Sequence, residues 1–262
     1  KEQPCTFICL DQENAFDRVN YNFMFKTLQS FGFHEDFIKW ISIFYNDIVS
    51  SVMVNNIISE PLRISRGVGQ GCSLSPLLYV LVYEPFAVKI CSEKDIIGIN
   101  IPGTAETCKI SLFADDSTGF CCTEKSVEKY LYWSHRYCEA SGAKINLSKS
   151  NGIFMGKWKS RSDHPFGISW IDNQKIVGFL IGKGLTNDDK WNKTHIKIQN
   201  TLRLWKSRNL SLVSKSLIIN CLIYSKIWYT ATVIDLPKHY ITVINRRIFT
   251  FLWNSNFEPL AR

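Results

Sequence analysis

Phe113-Ala114-Asp115-Asp116 decides how the rest of this sequence is read. Apolar, strand-forming runs flank it, Lys109–Phe113 before and Ser117–Cys122 after, so the two aspartates fall at the tip of a hairpin. Strand interiors disfavour Asp, and adjacent carboxylates repel. One reading is a plain polar turn, since Asp is a good turn residue. The other is a divalent-cation site, because hard cations take carboxylate oxygens and leave positions for water and phosphate. A third carboxylate bears on the choice. Thr6-Phe7-Ile8-Cys9-Leu10 is a strand ending at Asp11; a period of two puts Phe7, Cys9 and Asp11 on one face and Ile8 and Leu10 on the other. If the two segments pair, three carboxylates meet, enough to hold two metal ions roughly 3.5–4 Å apart for in-line phosphoryl displacement.

Outward from these strands, helical periodicity covers about Asn20–Phe31 and Glu35–Asn46, divided at Gly32. Ser51–Val54 and Leu62–Ser65 read as strands joined through Asn55-Asn56. A loop with Gly67, Gly69 and Gly71 precedes Ser75-Pro76, a capping hydroxyl followed by a first-turn proline; Pro85 should kink or end the helix that follows. That loop fits neither the phosphate P-loop nor the dinucleotide pattern. A helix over about Lys125–Ser141 stops at Gly142. Short strands are expected at Gly152–Met155, Ile168–Trp170 and Ile176–Ile181, with helices from Asn187 onward and a boundary near Gly182-Lys183-Gly184.

Charge is unevenly spread over the 262 residues, whose net charge is +8. Residues 1–150 carry 14 Lys+Arg against 17 Asp+Glu; residues 151–262 carry 17 against 6. The basic second part points to a polyanion partner. Within it, Asp188–Arg208 reads as a helix capped by Thr186 or Asn187. Trp191, Ile198, Leu202 and Trp205 share one stripe, and Lys190, Lys193 and Lys197 another. Nine cysteines, without C-x-x-C spacing, fit reduced thiols and an intracellular protein, in cytoplasm or nucleus and not secreted. The apolar stretch Leu217–Leu236 contains Asn220, Ser225, Lys226 and Thr230, so a buried helix is expected rather than a membrane span.

The set of motifs resembles the reverse transcriptases of non-long-terminal-repeat (LINE-type) retrotransposons. Leu10 to Asp17 matches the family's L-D-x-x-x-A-F-D. Gly69 to Leu78 matches its R-Q-G-C-P-L-S-P-L-L motif at eight of ten positions, with Gly69 for Arg and Ser73 for Pro. Phe113 to Asp116 matches the [YF]-A-D-D box, and Gly142 to Ser150 matches G-x-K-x-N-x-x-K-[ST]. Ile176-Val177-Gly178-Phe179 is similar to the primer grip, and the stretch from Trp205 to Leu212 is similar to the family's thumb.

The resemblance implies an α+β polymerase palm, an antiparallel sheet backed by helices, over residues 1–184 with the primer grip, and a helical thumb over 185–262. It implies an RNA-directed DNA polymerase using two Mg²⁺ ions, with Mn²⁺ as an alternative. Asp11, Asp115 and Asp116 would hold the metal with help from the Gln12 carbonyl. Phe16 would exclude a ribose 2′-OH, Gln70 and Gly71 would border the incoming nucleotide, and Lys149 would protonate pyrophosphate. Val177, Gly178, Phe179, Lys190, Lys193 and Lys197 would contact primer and template. The implied partners are an RNA template, a DNA primer and deoxynucleoside triphosphates, without a membrane. Lys1 and the immediate first strand suggest a piece of a longer protein whose fingers and endonuclease lie upstream. The competing expectation is a catalytically silent remnant that at most binds nucleic acid.

Overall fold

The computed structural model describes residues 3–254. The chain divides into two compact units, Lys1–Val177 and Gly178–Arg262.

The first unit begins with β1 (Cys5–Leu10), followed by a short 3₁₀ turn and the helices α1 (Tyr21–Ser30) and α2 (Glu35–Tyr45). Asn20 caps α1 by accepting from the Phe23 amide, and the His34 ring accepts from the Asp36 amide at the start of α2. Four two-residue strands follow: β2 (Val49–Ser50), β3 (Met53–Val54), β4 (Ile57–Ile58) and β5 (Leu62–Arg63). β3 closes on β4 around Asn55 and Asn56, both at positive φ, whereas β5 pairs with β2. The expected pairing of Ser51–Val54 with Leu62–Ser65 is therefore displaced. Two consecutive left-handed Asn residues make the tight turn that fits the twist of a hairpin.

Helix α3 (Ser75–Ser92) runs through Pro85, so of the two expected effects of that proline, a kink or an end, the end does not occur. Pro85 removes one backbone bond, but Leu78, Tyr79, Val82, Tyr83, Phe86 and Ile90 are all buried along the same helix. That packing outweighs the roughly 3 kcal/mol cost of an internal proline. Ser75 is itself the first helical residue, with no side-chain cap.

After β6 (Ile99–Asn100) and β7 (Thr107–Cys108) come β8 (Ile110–Phe113), β9 (Asp116–Cys121), α4 (Glu124–Ser141), β10 (Asn151–Met155), β11 (Ser169–Trp170) and β12 (Asn173–Ile176). Gly142, at φ +78°, ends α4 in the left-handed conformation. The main sheet has the order β11-β10-β1-β9-β8; β1 lies antiparallel between β10 and β9. Ile8 and Leu10 point into the core with Tyr79, Val82 and Phe86 of α3 and Val127 and Tyr130 of α4. Gly119 is required there, because a Cβ would lie 2.5 Å from the Tyr130 ring. Phe7 and Cys9 face the other side of the sheet and are only half-buried.

The second unit contains β13 (Phe179–Gly182) and the helices α5 (Asn187–Lys206), α6 (Leu212–Ile218), α7 (Ser225–Ala231) and α8 (Lys238–Trp253). A π-helical segment, Ile219–Tyr224, joins α6 to α7. Thr186 and Asp189 form a capping box on α5. The core takes Trp191, Ile198 and Leu202 from α5 and Ile244, Ile248 and Phe251 from α8. Ile219, Ile223 and Ile227 fill it from the middle run, while Leu217, Trp228 and Val233 are exposed. The Leu217–Leu236 stretch is thus amphipathic rather than wholly buried. Among the described residues no helix is long and apolar enough to cross a membrane. Lys215 is buried; its Nζ donates to the Leu252 carbonyl and to Asn254 Oδ1, capping the end of α8.

Candidate polymerase active site

Asp11 follows the last residue of β1, and Asp116 opens β9. The register pairs Leu10 with Ser117, so the next step along each strand brings Asp11 beside Asp116. By alternation both lie on the side of Cys9 and Thr118, away from the helical core. The β8–β9 hairpin pairs Phe113 with Asp116, leaving Ala114 and Asp115 as its two-residue turn. Ala114 sits at φ +53°, a conformation that costs a residue with a Cβ about 1–2 kcal/mol. Such strain collects where a site needs it.

Burial pushes the Asp116 carboxyl above its ordinary value, and the charges of Asp115 and Asp11 push it the same way. The three aspartates therefore share one field. They are not drawn into a ready cluster: among the described residues no three His, Cys, Asp or Glu side chains are grouped closely enough to hold a metal ion. Asp11, Asp116 and Lys149 line one cleft, together with Cys9, Thr118 and Val177; Asp115 is not among its walls. Lys149 is exposed at the cleft edge.

The segment from Gly142 to Ser150 is what holds Asp11. The Asn146 amide donates to the Asp11 carbonyl at 2.8 Å, and the Glu13 amide to the Lys144 carbonyl at 2.8 Å. These two bonds bracket the bridge between Gln12 and Ile145 and do not use the Gln12 carbonyl. The Asp11 amide donates to Ser150 Oγ, which itself donates to the Asn146 carbonyl. Ser150 is fully buried. The matched motif contained this serine, but its hydrogen bond to a residue 139 positions away has no local signal. Lys175, beside the cleft-lining Gln174, was likewise missed; it stands in a short strand with nothing to distinguish it from surface.

The glycine loop is tied to the turn after Asp11. The Gly67 amide donates to the Val19 carbonyl and the Val68 amide to the Phe16 carbonyl, each at 2.8 Å. Gly67 has φ +97°, and a Cβ there would meet the Asp17 carbonyl oxygen at 2.9 Å. This anchors exposed Gln70 and Gly71 near Phe16, with Gln70 Nε2 at 3.4 Å from Asp17 Oδ1. The Phe16 ring stacks on Tyr79 with centroids 4.7 Å apart and planes at 11°.

Val177 and Gly178 both have positive φ and interrupt the expected Ile176–Ile181 strand. Val177 belongs to the first unit; Gly178 and Phe179 belong to the second, where Phe179 stacks on Tyr229 at 4.8 Å. Lys193 and Lys197 are exposed on α5 and Lys190 is half-buried, while Trp191 and Ile198 are fully buried on the other stripe.

A sheet that is antiparallel except at its β10–β11 edge, which is parallel, carries acidic residues where β1 ends and where the β8–β9 hairpin turns; with helices packed behind it, this defines a palm-type polymerase fold. Two telomerase structures from Candida tropicalis share it. The apo form aligns with TM-score 0.51 at 13% identity, over 95% of this chain and 46% of its own. The form in complex with a TWJ fragment of telomeric RNA aligns with TM-score 0.52 at 15% identity, over 95% and 42%. The profile of the family described as reverse transcriptase (RNA-dependent DNA polymerase) matches residues 1–182, and the chain belongs to that family, in its non-long-terminal-repeat retrotransposon branch. The uncharacterized 149 kDa protein of transposon TX1 from Xenopus laevis is 32% identical over 256 residues, 94% of this chain and 19% of that protein. The Pol polyprotein of the type-2 retrotransposable element R2DM from Drosophila melanogaster is 30% identical over 145 residues, 55% of this chain and 13% of that protein. The chain spans less than a fifth of the length of these two relatives.

Proposed function

We propose that this chain extends a DNA primer on an RNA template with deoxynucleoside triphosphates, its residues 1–184 acting as palm and 185–262 as thumb. The observation that carries the reading is the shared cleft of Asp11, Asp116 and Lys149 on the open face of the main sheet. Asp11, Asp115 and Asp116 offer only anionic oxygens, which suits Mg²⁺ or Mn²⁺, and the crowding of charge around Asp116 is what a cation relieves. The Gln12 carbonyl, unused by the bonds that bracket it, is the additional oxygen. Two bound ions supply activation of the attacking primer hydroxyl and neutralisation of the departing pyrophosphate. Lys149, which lines the same cleft, would give a proton to that leaving group. Gln70 and Gly71 border the base and sugar, and Phe16 lies under the sugar. Val177, Gly178 and Phe179 hold the primer end. The nine free cysteines suit an intracellular setting.

One feature favours a silent remnant instead. Gly69 stands where the family has Arg, and its surroundings are open, with only Cys72 Cβ 3.9 Å from a Cβ built there. A missing cation at that position weakens the grip on a triphosphate. The test is primer extension by the wild-type chain and by Asp115→Asn. Extension by wild type, lost in the variant with template binding retained, supports the polymerase. Binding without extension, where the chain is joined to the upstream region that supplies the fingers, establishes the remnant.

A further inference from the structure

A basic groove in the second unit lies apart from the lysine stripe of α5. It measures about 540 Å³ between α5 and α8 and is lined by Arg203 and Lys206 on one wall and Arg246 and Arg247 on the other, over Leu202 and Phe251. No acidic side chain lines it, and none of the four cations makes an ion pair among the described residues. Residues 178–254 contain twelve Lys and Arg but only three Asp. Asp188 and Asp189 lie in the first turn of α5, and Asp235 precedes α8. None is on the half of α5, or on the helix α8, that makes the groove.

Four like charges facing one another across the groove repel and so oppose folding. Leu202 and Phe251, both buried, hold the walls together against that repulsion. The arrangement becomes favourable once an anion enters. One phosphate cannot neutralise four cations on two walls; a run of phosphates along the groove can. Three of the four are guanidinium groups, whose planar forks match phosphate oxygens in pairs. At 100° per residue, positions 199, 203 and 206 stand roughly 150° around α5 from positions 190, 193 and 197. A duplex lying on the lysine stripe therefore leaves this groove to something else.

We propose that the groove between α5 and α8 binds the phosphate backbone of a separate single nucleic-acid strand, through Arg203, Lys206, Arg246 and Arg247. It carries no base recognition, since phosphates have no sequence identity. That the strand is a separate one rests on the proposed reading of the lysine stripe as the duplex site; binding to the groove itself is read without nucleotide or metal.

The probe is a labelled oligo-uridine strand, titrated against the full chain over a range of salt. Changing the four residues to Gln should weaken binding about tenfold or more near 0.1 M salt. It should also reduce the slope of log affinity against log salt by up to about 3, at roughly 0.7 per neutralised phosphate on a single strand. Lys190→Gln, Lys193→Gln and Lys197→Gln together should remove only the stripe's own share of the slope, so that adding the four groove changes on that background still lowers it further. If the quadruple variant loses thermal stability, Arg203→Gln and Arg246→Gln singly, both at exposed positions, should each lower the slope by a fraction of a unit. Parallel salt lines for wild type and variants overturn the proposal. So does loss of binding to phosphatidylserine vesicles with oligo-uridine affinity intact, which would make the groove a lipid-headgroup site.

Discussion

The Asp11 amide and the Ser150 hydroxyl meet at 3.1 Å, across 139 residues of sequence. The serine hands its own proton to the Asn146 carbonyl at 2.8 Å, so one buried hydroxyl fixes the end of β1 against the segment that carries Lys149. Ser150→Ala leaves the buried-side Asp11 amide without its acceptor, at a cost of about 1–3 kcal/mol, while the Asn146 carbonyl keeps the Lys149 and Ser150 amides. We expect primer extension to fall in kcat by roughly tenfold, corresponding to about 1.4 kcal/mol in the barrier. Affinity for template–primer should hold, because no phosphate-binding group is touched. Equal weakening of binding and turnover would mean that Ser150 only supports the fold.

Phe16 is stacked face to face on Tyr79, which is itself buried against α4 and the rest of α3. The stack sets the orientation of the half-buried Phe16 ring. Phe16→Val should raise ribonucleotide over deoxynucleotide incorporation, expressed as a ratio of kcat/KM values, so that a general loss of activity does not imitate the effect. Losing the stacked pair should also cost about 0.5–1.5 kcal/mol of stability beyond the lost burial. A changed stability with an unchanged ratio would leave Phe16 as a core aromatic alone.

Asp116 supplies a pH test. Its folded-state acidity is weakened by burial first, then by Asp115 and Asp11. The folded value lies above the unfolded one, so the fold prefers the protonated form. The stability that this preference contributes is fully present below the unfolded value, about 3.9, and is lost as pH rises through the folded value. At neutral pH the carboxylate is then destabilising. Asp116→Asn should raise the melting temperature at pH 7, and the advantage should shrink as pH falls toward 4. Primer extension should disappear in the same variant. A melting temperature lower than wild type at pH 7 would show that the Asp116 carboxylate is held by favourable interactions instead.

The parts of this fold that burial organises were readable from the sequence. The alternation of Ile8 and Leu10 with Phe7 and Cys9, the cap at Thr186, the stop at Gly142 and the buried stripe of Trp191, Ile198 and Leu202 on α5 all stand as expected. What failed had no burial to set it. Every residue of β2, β3, β4 and β5 is exposed, so no apolar period marks which short strands pair. The break at Val177 was invisible because a β-branched residue at φ +44° is disfavoured on local grounds. At Pro85 the sequence left a kink or an end open, and six buried neighbours on its own helix decide against the end. In the site, residue types announced the carboxylates. The support given by Ser150 and Gly67 depends on strands and loops far apart in sequence, and no spacing rule reaches them.

The two stripes of α5 make separate predictions. Lys193 and Lys197 are exposed, whereas Trp191 is fully buried and donates its indole N–H to the Asp235 carbonyl at 2.8 Å. If the lysine stripe and its neighbours neutralise roughly four duplex phosphates, log affinity should fall against log salt with a slope near −3 to −4. Between about 50 and 200 mM salt that is on the order of a hundredfold weakening. Lys190→Gln, Lys193→Gln and Lys197→Gln combined should flatten the slope by up to roughly one unit for each phosphate no longer neutralised, equally on templates of different sequence. Trp191→Ala should act on stability, by about 3–5 kcal/mol for a large core aromatic, with the salt slope of the remaining folded protein unchanged. The decisive comparison is duplex binding against salt for wild type and the triple variant. Coincident slopes would show that the three lysines are ordinary solvated surface, and that the duplex is gripped by other residues.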